Sequence, residues 1–344
     1  MRGSFFVGAD HSPKFEVREM TFGPLGPRDV LVNNKACGIC GTDVHIYNWD
    51  PWARLHIKPP MVIGHEYVGE IAELGAGVTG LHVGQRVSGE GHITCGRCRN
   101  CHTGNIQWCK DTVGVGVDRD GAFAEYVCIP QSNVIIIDES LPEDVVAFFD
   151  AFGNATHTAL MWNLVGEDVL ITGAGPIGII AVGVCKYAGA RRVVITDVND
   201  YRLDLARKMG ADAAVNITRE DLAEVMGKQG LVEGFDIGLE MSGNGAGLQQ
   251  MISVMRNGGK ISLLGISNTP VPMDMNTVIT KGLTMQGIYG RKMDNWHQMS
   301  YMVQGGLDLT PVITHRFHYT QFEEGFAAMN SGKSGKVILD WAKK

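Results

Sequence analysis

Val169-Leu170-Ile171-Thr172-Gly173-Ala174-Gly175-Pro176-Ile177-Gly178 decides how the second half of this chain folds. Four apolar or β-branched residues read as a short buried strand. They run into G-x-G-x-x-G, and Ile177–Tyr187 then has the apolar run of a helix. Such glycines let the backbone close on a pyrophosphate, whose charge meets the unpaired N–H groups of the helix N-terminus. Val193–Asp197 reads as the next strand, and Asp197 follows Gly178 by 19 residues. A carboxylate there grips ribose hydroxyls and opposes a 2′-phosphate, so NAD is expected over NADP. Arg202 complicates that choice, because an Arg at this place can serve either cofactor. Helix Arg202–Met209 and strands Phe235–Glu240 and Lys260–Gly265 continue the alternation, which predicts a parallel sheet covered on both faces.

Working outward, the first ~150 residues lack this rhythm. Asp29–Asn34, Tyr67–Leu74, Gly84–Ser88 and Ala124–Ile129 read as half-buried strands between glycine-rich turns. Past Gly290 the alternation stops, and Pro311–Phe317 and Lys336–Trp341 read as strands of a tail that returns to the first domain. The 344 residues, 44% hydrophobic and 19% charged, suit about two domains, and no apolar run reaches the ~18 residues of a membrane span. A net charge of −7 without a basic stretch argues against a nucleic-acid partner. Nothing at the N-terminus reads as a signal peptide, so a disulfide-forming compartment is not expected.

Cys95-x2-Cys98-x2-Cys101-x7-Cys109 places four thiols within fifteen residues. Four sulfurs so close suit a closed, structural tetrahedral zinc site. An iron–sulfur cluster is the rival, but its usual run has the fourth Cys three residues on and followed by Pro; here Lys110 follows Cys109.

Upstream, Cys40 in Cys40-Gly41-Thr42-Asp43-Val44-His45, with His65 and Glu66 twenty-odd residues later, offers a thiolate, an imidazole and a carboxylate. Three such ligands leave a coordination position open for a substrate oxygen. Cys37 reads as a small core residue rather than half of a redox C-x-x-C.

Gly38–Asp43, Gly64-His65-Glu66, the four-cysteine lobe and Gly173–Gly178 together resemble the zinc-dependent medium-chain alcohol dehydrogenase family across nearly the whole chain. The resemblance implies an α/β protein: a GroES-like, mostly-β catalytic domain (residues 1–151 and 291–344) and an inserted Rossmann domain with a doubly wound parallel sheet (152–290). It also implies a cytoplasmic homotetramer with one catalytic and one structural zinc per subunit. Cys40, His65 and Glu66 become catalytic zinc ligands, Glu66 binding directly or only when substrate is absent. Thr42 and His45 become a proton relay, with His45 as a further zinc ligand the competing view. Asp150 becomes an acidic residue that tunes the metal. Ile177, Asp197 and Arg202 become NAD contacts, with Leu264, Gly265, Ile266, Ile288 and Tyr289 lining the nicotinamide end. Finer segments (Asp43–Asp50, Gly89–Cys95, Phe152–Ala155, Gly265-Ile266 and Gly287–Gly290) are similar to family members that oxidise the 3-hydroxyl of L-threonine. His92 then becomes a substrate-pocket residue or a histidine bracing the cysteine lobe. A polyol or 2,3-butanediol dehydrogenase shares the broader motifs. A nucleotide-binding protein that has lost catalysis is a third reading, which the retained Cys40, His65 and Thr42 disfavour.

Overall fold

The computed structural model describes residues 2–7, 14–19, 21, 23–267 and 269–342. The chain divides into two units, Met1–Ala151 with Lys292–Ser300 and Ile313–Lys344, and Phe152–Arg291 with Tyr301–Val312.

The second unit carries a six-stranded sheet of β1 (Asp168–Thr172), β2 (Arg192–Asp197), β3 (Ala213–Asn216), β4 (Phe235–Glu240), β5 (Met255–Leu263) and β6 (Thr284–Gly287). Their spatial order is β3-β2-β1-β4-β5-β6 and every pairing is parallel. Strands so paired need crossovers, supplied in part by α1 (Pro176–Tyr187), α2 (Asp200–Lys208), α3 (Leu222–Gln229) and α4 (Gly245–Val254). The order reverses beside β1, and open α/β sheets bind ligands at such a switch, beyond the carboxyl ends of the strands. Leu170, Val194, Phe235, Met251 and Ile261 belong to the core on one face of this sheet.

The first unit is mostly β. Its main sheet runs Val134–Ile136, Arg86–Gly89, Glu66–Leu74, Asp29–Gly38, Lys336–Asp340 and Ile313–His318, and Tyr126–Pro130 also pairs with Asp29–Gly38. The tail does return: Lys336–Asp340 pairs antiparallel with Asp29–Gly38, setting Leu339 against Cys37. Cys37 is fully buried, and its thiol donates to the Ala122 carbonyl at 3.2 Å. Residues 301–312, counted from sequence with the catalytic part, pack within the second unit. Leu307 and Leu309 approach the place a side chain would take at Gly183 of α1, and the Tyr187 hydroxyl does the same at Gly305.

Candidate active site and cofactor crevice

Cys40 ends the run from Asp29–Gly38 and caps the helix Gly41–Tyr47. The Asp43 carboxylate accepts from the Cys40 N–H at 2.8 Å, fixing the turn that carries the thiol. His65 follows Gly64, whose φ of +88° and contact with the Phe123 ring leave no room for a side chain. Glu66 begins the strand Glu66–Leu74. One ligand atom from each of Cys40, His65 and Glu66 lies within 4.8 Å of the others. The fold has therefore brought together the three donors predicted from sequence.

Charge around the trio favours a cation. Asp43 is fully buried, with Oδ1 3.9 Å from His65 Nδ1. Burial pushes its carboxyl up to about 6, against the lowering pull of His65 and the Cys40 N–H. His65 shifts well upward: burial works against its charge, but Cys40, Asp43 and Asp150 outweigh that. A site that strains to hold a proton on its imidazole has the electrostatics to hold a metal instead. Asp150, buried in the first turn of the helix Phe149–Ala159, has Oδ2 3.7 Å from where a Gly91 side chain would begin.

Glu66 has an anchor that sequence reading missed. Lys336 Nζ, itself buried, donates to Glu66 Oε2 at 2.5 Å and to the Ile39 carbonyl at 3.0 Å. Glu66 Oε1 is buried and has no hydrogen-bond partner among the described residues. Glycine at position 38 leaves room for that carboxylate, since a β-carbon there would sit 2.2 Å from Glu66 Oε2 and displace it. One oxygen is thus held by an ammonium and the other left to a ligand.

Thr42 lies in the first turn of the Cys40 helix, its Oγ1 3.9 Å from Cys40 Sγ. His45 follows one turn later, half-exposed and outside the ligand trio. Its Nδ1 donates to Asp50 Oδ2 at 2.5 Å, a partner the sequence reading passed over. Asp50 also caps the helix Pro51–His56 through Ala53 N–H. His92, on the short strand His92–Ile93, is bound through both Nδ1 (2.7 Å) and its N–H (2.9 Å) to buried Glu90 Oε1. Trp296 Nε1 donates to the other Glu90 oxygen at 3.0 Å.

The four cysteines of the lobe also converge within 4.8 Å, and none is in a disulfide. Cys95 N–H and Asp111 N–H donate to Cys109 Sγ at 3.3 and 3.4 Å. N–H donors from Cys101 and Lys110 pull the Cys98 thiol down to about 6, while burial and the neighbouring Cys98 and Cys109 sulfurs push Cys101 up to about 11, so the group shares its protons until a metal displaces them. This donor set fits a closed four-sulfur zinc site.

In the second unit, the glycines divide the work. Gly173 has φ +91°, and a β-carbon there would press on Ser242; one at Gly178 would lie 2.0 Å from the Gly173 carbonyl. At Gly175, the N-cap of α1, a β-carbon would meet nothing within 4 Å. That open side is the space a pyrophosphate needs. Asp197 ends β2, with Oδ2 accepting from Ala174 N–H at 2.6 Å and Oδ1 from Val198 and Asn199 N–H. Arg202, in the first turn of α2, has Nε buried without a hydrogen-bond partner among the described residues. Ile288 is buried, whereas Ile266 and Tyr289 are 80% and 52% exposed. The exposed pair suits residues that line an open crevice.

Residues 26–139 match the alcohol dehydrogenase GroES-like domain family, and residues 176–305 match the zinc-binding dehydrogenase family. The chain is 59% identical over 320 residues to an L-threonine 3-dehydrogenase of Aeromonas salmonicida, covering 93% of this chain and 94% of the relative. The chain belongs to the zinc-dependent medium-chain alcohol dehydrogenase family. An L-threonine 3-dehydrogenase of Deinococcus deserti is likewise 59% identical over 93% of each chain. Among solved structures, an alcohol dehydrogenase of Escherichia coli complexed with NADH superposes with a TM-score of 0.88 at 27% identity, covering 98% of this chain and 99% of that one. Membership accounts for the fold resemblance read from the motifs, with its GroES-like and Rossmann parts. Among the described residues, no helix is long and apolar enough to cross a membrane.

Proposed function

We propose that this chain is an NAD-dependent L-threonine 3-dehydrogenase that converts L-threonine to 2-amino-3-oxobutanoate, NAD becoming NADH with release of one proton. The observation that carries this reading is the 59% identity over 93% of the chain to enzymes of that name. The complete Cys40–His65–Glu66 donor set supports retained catalysis. Cys40, His65 and Glu66 would hold the catalytic zinc and Cys95, Cys98, Cys101 and Cys109 the structural one. When bound, the catalytic zinc supplies Lewis acidity toward the substrate hydroxyl and NAD supplies the hydride acceptor.

The chain's own groups do the rest. Asp43 places a buried carboxyl 3.9 Å from His65 Nδ1, and Lys336 restrains one oxygen of Glu66. The hydroxyl proton passes by way of Thr42 Oγ1 to His45. The Asp50 carboxylate on His45 Nδ1 orients the ring, and the half-exposed imidazole returns the proton to water. Asp150 lowers the cost of positive charge beside His65. His92, braced by Glu90, faces the substrate pocket. Gly173, Gly175 and Gly178 cradle the pyrophosphate, and Ile177, Asp197 and Arg202 hold the adenosine half. The domains act as a GroES-like catalytic part and a Rossmann part, in a homotetramer working in the cytoplasm.

Initial rates with NAD and a panel of L-threonine, 2,3-butanediol and sorbitol test the assignment. A kcat/KM for L-threonine about tenfold or more above those for 2,3-butanediol and sorbitol is expected. Preference for 2,3-butanediol or sorbitol would move the chain to the polyol branch of the same family.

A further inference from the structure

Glu240, the last residue of β4, is a buried carboxylate with a place in no step above. Among the described residues no cation pairs with it; it is held entirely by N–H and O–H donors. Its Oε1 accepts from Ser242 N–H at 2.9 Å, from Gly243 N–H at 3.1 Å, from Thr172 Oγ1 at 3.3 Å and from the Ser242 hydroxyl. Stability alone gives little reason for such a group: an apolar side chain avoids the desolvation that a carboxylate suffers here.

Its position supplies the reason. Thr172 ends β1 and opens the glycine loop; Ser242 and Gly243 form the turn after β4. The segment Leu264–Ile266 leaves β5, with Leu264 and Gly265 N–H donating to the Glu240 carbonyl at 2.9 and 3.0 Å. That segment is packed against the same carboxylate. A β-carbon at Gly265 would lie 2.6 Å from Glu240 Oε2 and 2.1 Å from Gly243 N, and one at Gly243 (φ +64°) would lie 2.4 Å from the Ile266 carbonyl. Three loops at the carboxyl ends of β1, β4 and β5 thus meet on one side chain, at the edge where this fold binds ligands.

We propose that Glu240 is a positioning residue for the nicotinamide half of the cofactor, holding the turn Met241–Asn244 and, through it, the segment Leu264–Ile266 in binding-ready form. The proposal rests on the NAD-binding reading above. The pyrophosphate end has independent support, because Asp197 holds Ala174 N–H and Gly173 N–H donates to the Thr196 carbonyl at 2.8 Å. Glu240 also touches Thr172 at the mouth of the glycine loop, but these separate ties keep the loop in place, so loss of Glu240 weakens the hold on the nicotinamide half more than the hold on the pyrophosphate.

Calorimetric titration of the zinc-loaded enzyme with NAD and with ADP-ribose, which lacks the nicotinamide, reads this directly. Glu240→Ala should weaken NAD about tenfold and ADP-ribose less than about twofold, the scale of lost hydrogen bonds to a charged acceptor. Glu240→Gln, whose amide oxygen can take the place of Oε1, should recover most of the NAD affinity. Equal loss of both ligands in Glu240→Ala, unchanged NAD binding, or a Glu240→Gln variant as weak as the alanine would each overturn the proposal. If Glu240→Ala does not fold, Ser242→Ala removes one donor and should weaken NAD relative to ADP-ribose in the same sense; an unchanged ratio would also overturn it. Failure of the unmodified enzyme to bind NAD would instead refute the cofactor assignment on which the proposal stands.

Discussion

At the scale of single residues, function depends on which atom each side chain leaves available. Asp197 spends both oxygens on backbone N–H groups of the glycine loop and of its own turn, which fixes a negative charge beside that loop. Asp197→Ser should therefore do two things at once. NAD binding weakens as the loop loses its tie to Ala174, and the preference for NAD over NADP narrows by about tenfold, the size of one like-charge contact in a partly buried site. Paired kcat/KM values for the two cofactors check this, and equal efficiency of the unmodified enzyme with both would remove the premise. His45 presents the opposite case, a ring held at one nitrogen by Asp50 and half-exposed. Because it lies outside the ligand trio, His45→Ala should retain full zinc content and NAD affinity while turnover near pH 7 falls by up to about a hundredfold. Imidazole added to the assay should restore part of it. Zinc loss in that variant would favour the ligand view of His45, and unchanged turnover near pH 7 would sink the relay, provided hydride transfer rather than NADH release limits the rate.

At the scale of elements, the four-cysteine lobe folds around its sulfurs. Its only regular pieces are the one-turn helix Arg99–His102 and the short helical turn Ile106–Trp108, too little to persist without the metal. Cys98→Ser should release the structural zinc, leave about one zinc per chain by metal analysis, and raise protease sensitivity within residues 95–111. Iron with acid-labile sulfide in the unmodified protein would refute the zinc assignment. This lobe was legible in sequence because all four ligands fall in fifteen residues, as was the glycine loop, where every constraint is local. Strand edges were less legible: Asp29–Gly38 runs four residues past the expected end, and β5 starts at Met255 rather than Lys260. Pairing with tail strand and sheet neighbours extends them, and single-strand pattern does not contain that information. Glu240 and Asp43 were legible as residues but not as roles, since a carboxylate ending a strand or opening a helix is ordinarily a solvated cap.

At the scale of the whole molecule, the least legible contact joins positions 270 residues apart: Lys336 from the returning tail and Glu66 of the donor trio. No local spacing announces it, because only the pairing of Lys336–Asp340 with Asp29–Gly38 brings the ammonium to the carboxylate. Both groups are buried, so neither charge is relieved by water when its partner goes. Lys336→Met should accordingly destabilise the metal-free protein by about 3–5 kcal/mol, as expected when one member of a buried pair is removed. Glu66→Gln placed in the same chain should restore much of that loss, since it removes the charge left unpaired. Zinc changes the size of the effect. A divalent cation beside Glu66 compensates the carboxylate that Lys336 no longer does, and it no longer faces the ammonium's repulsion. The variant should therefore lose less stability with zinc than after chelation, and its catalytic site should hold zinc more tightly. Denaturant unfolding of the unmodified protein and the two variants, with and without the metal, measures these stabilities, and zinc titration of the first two gives the affinities. Equal destabilisation in the two metal states would mean that Lys336 serves only to fix the tail strand.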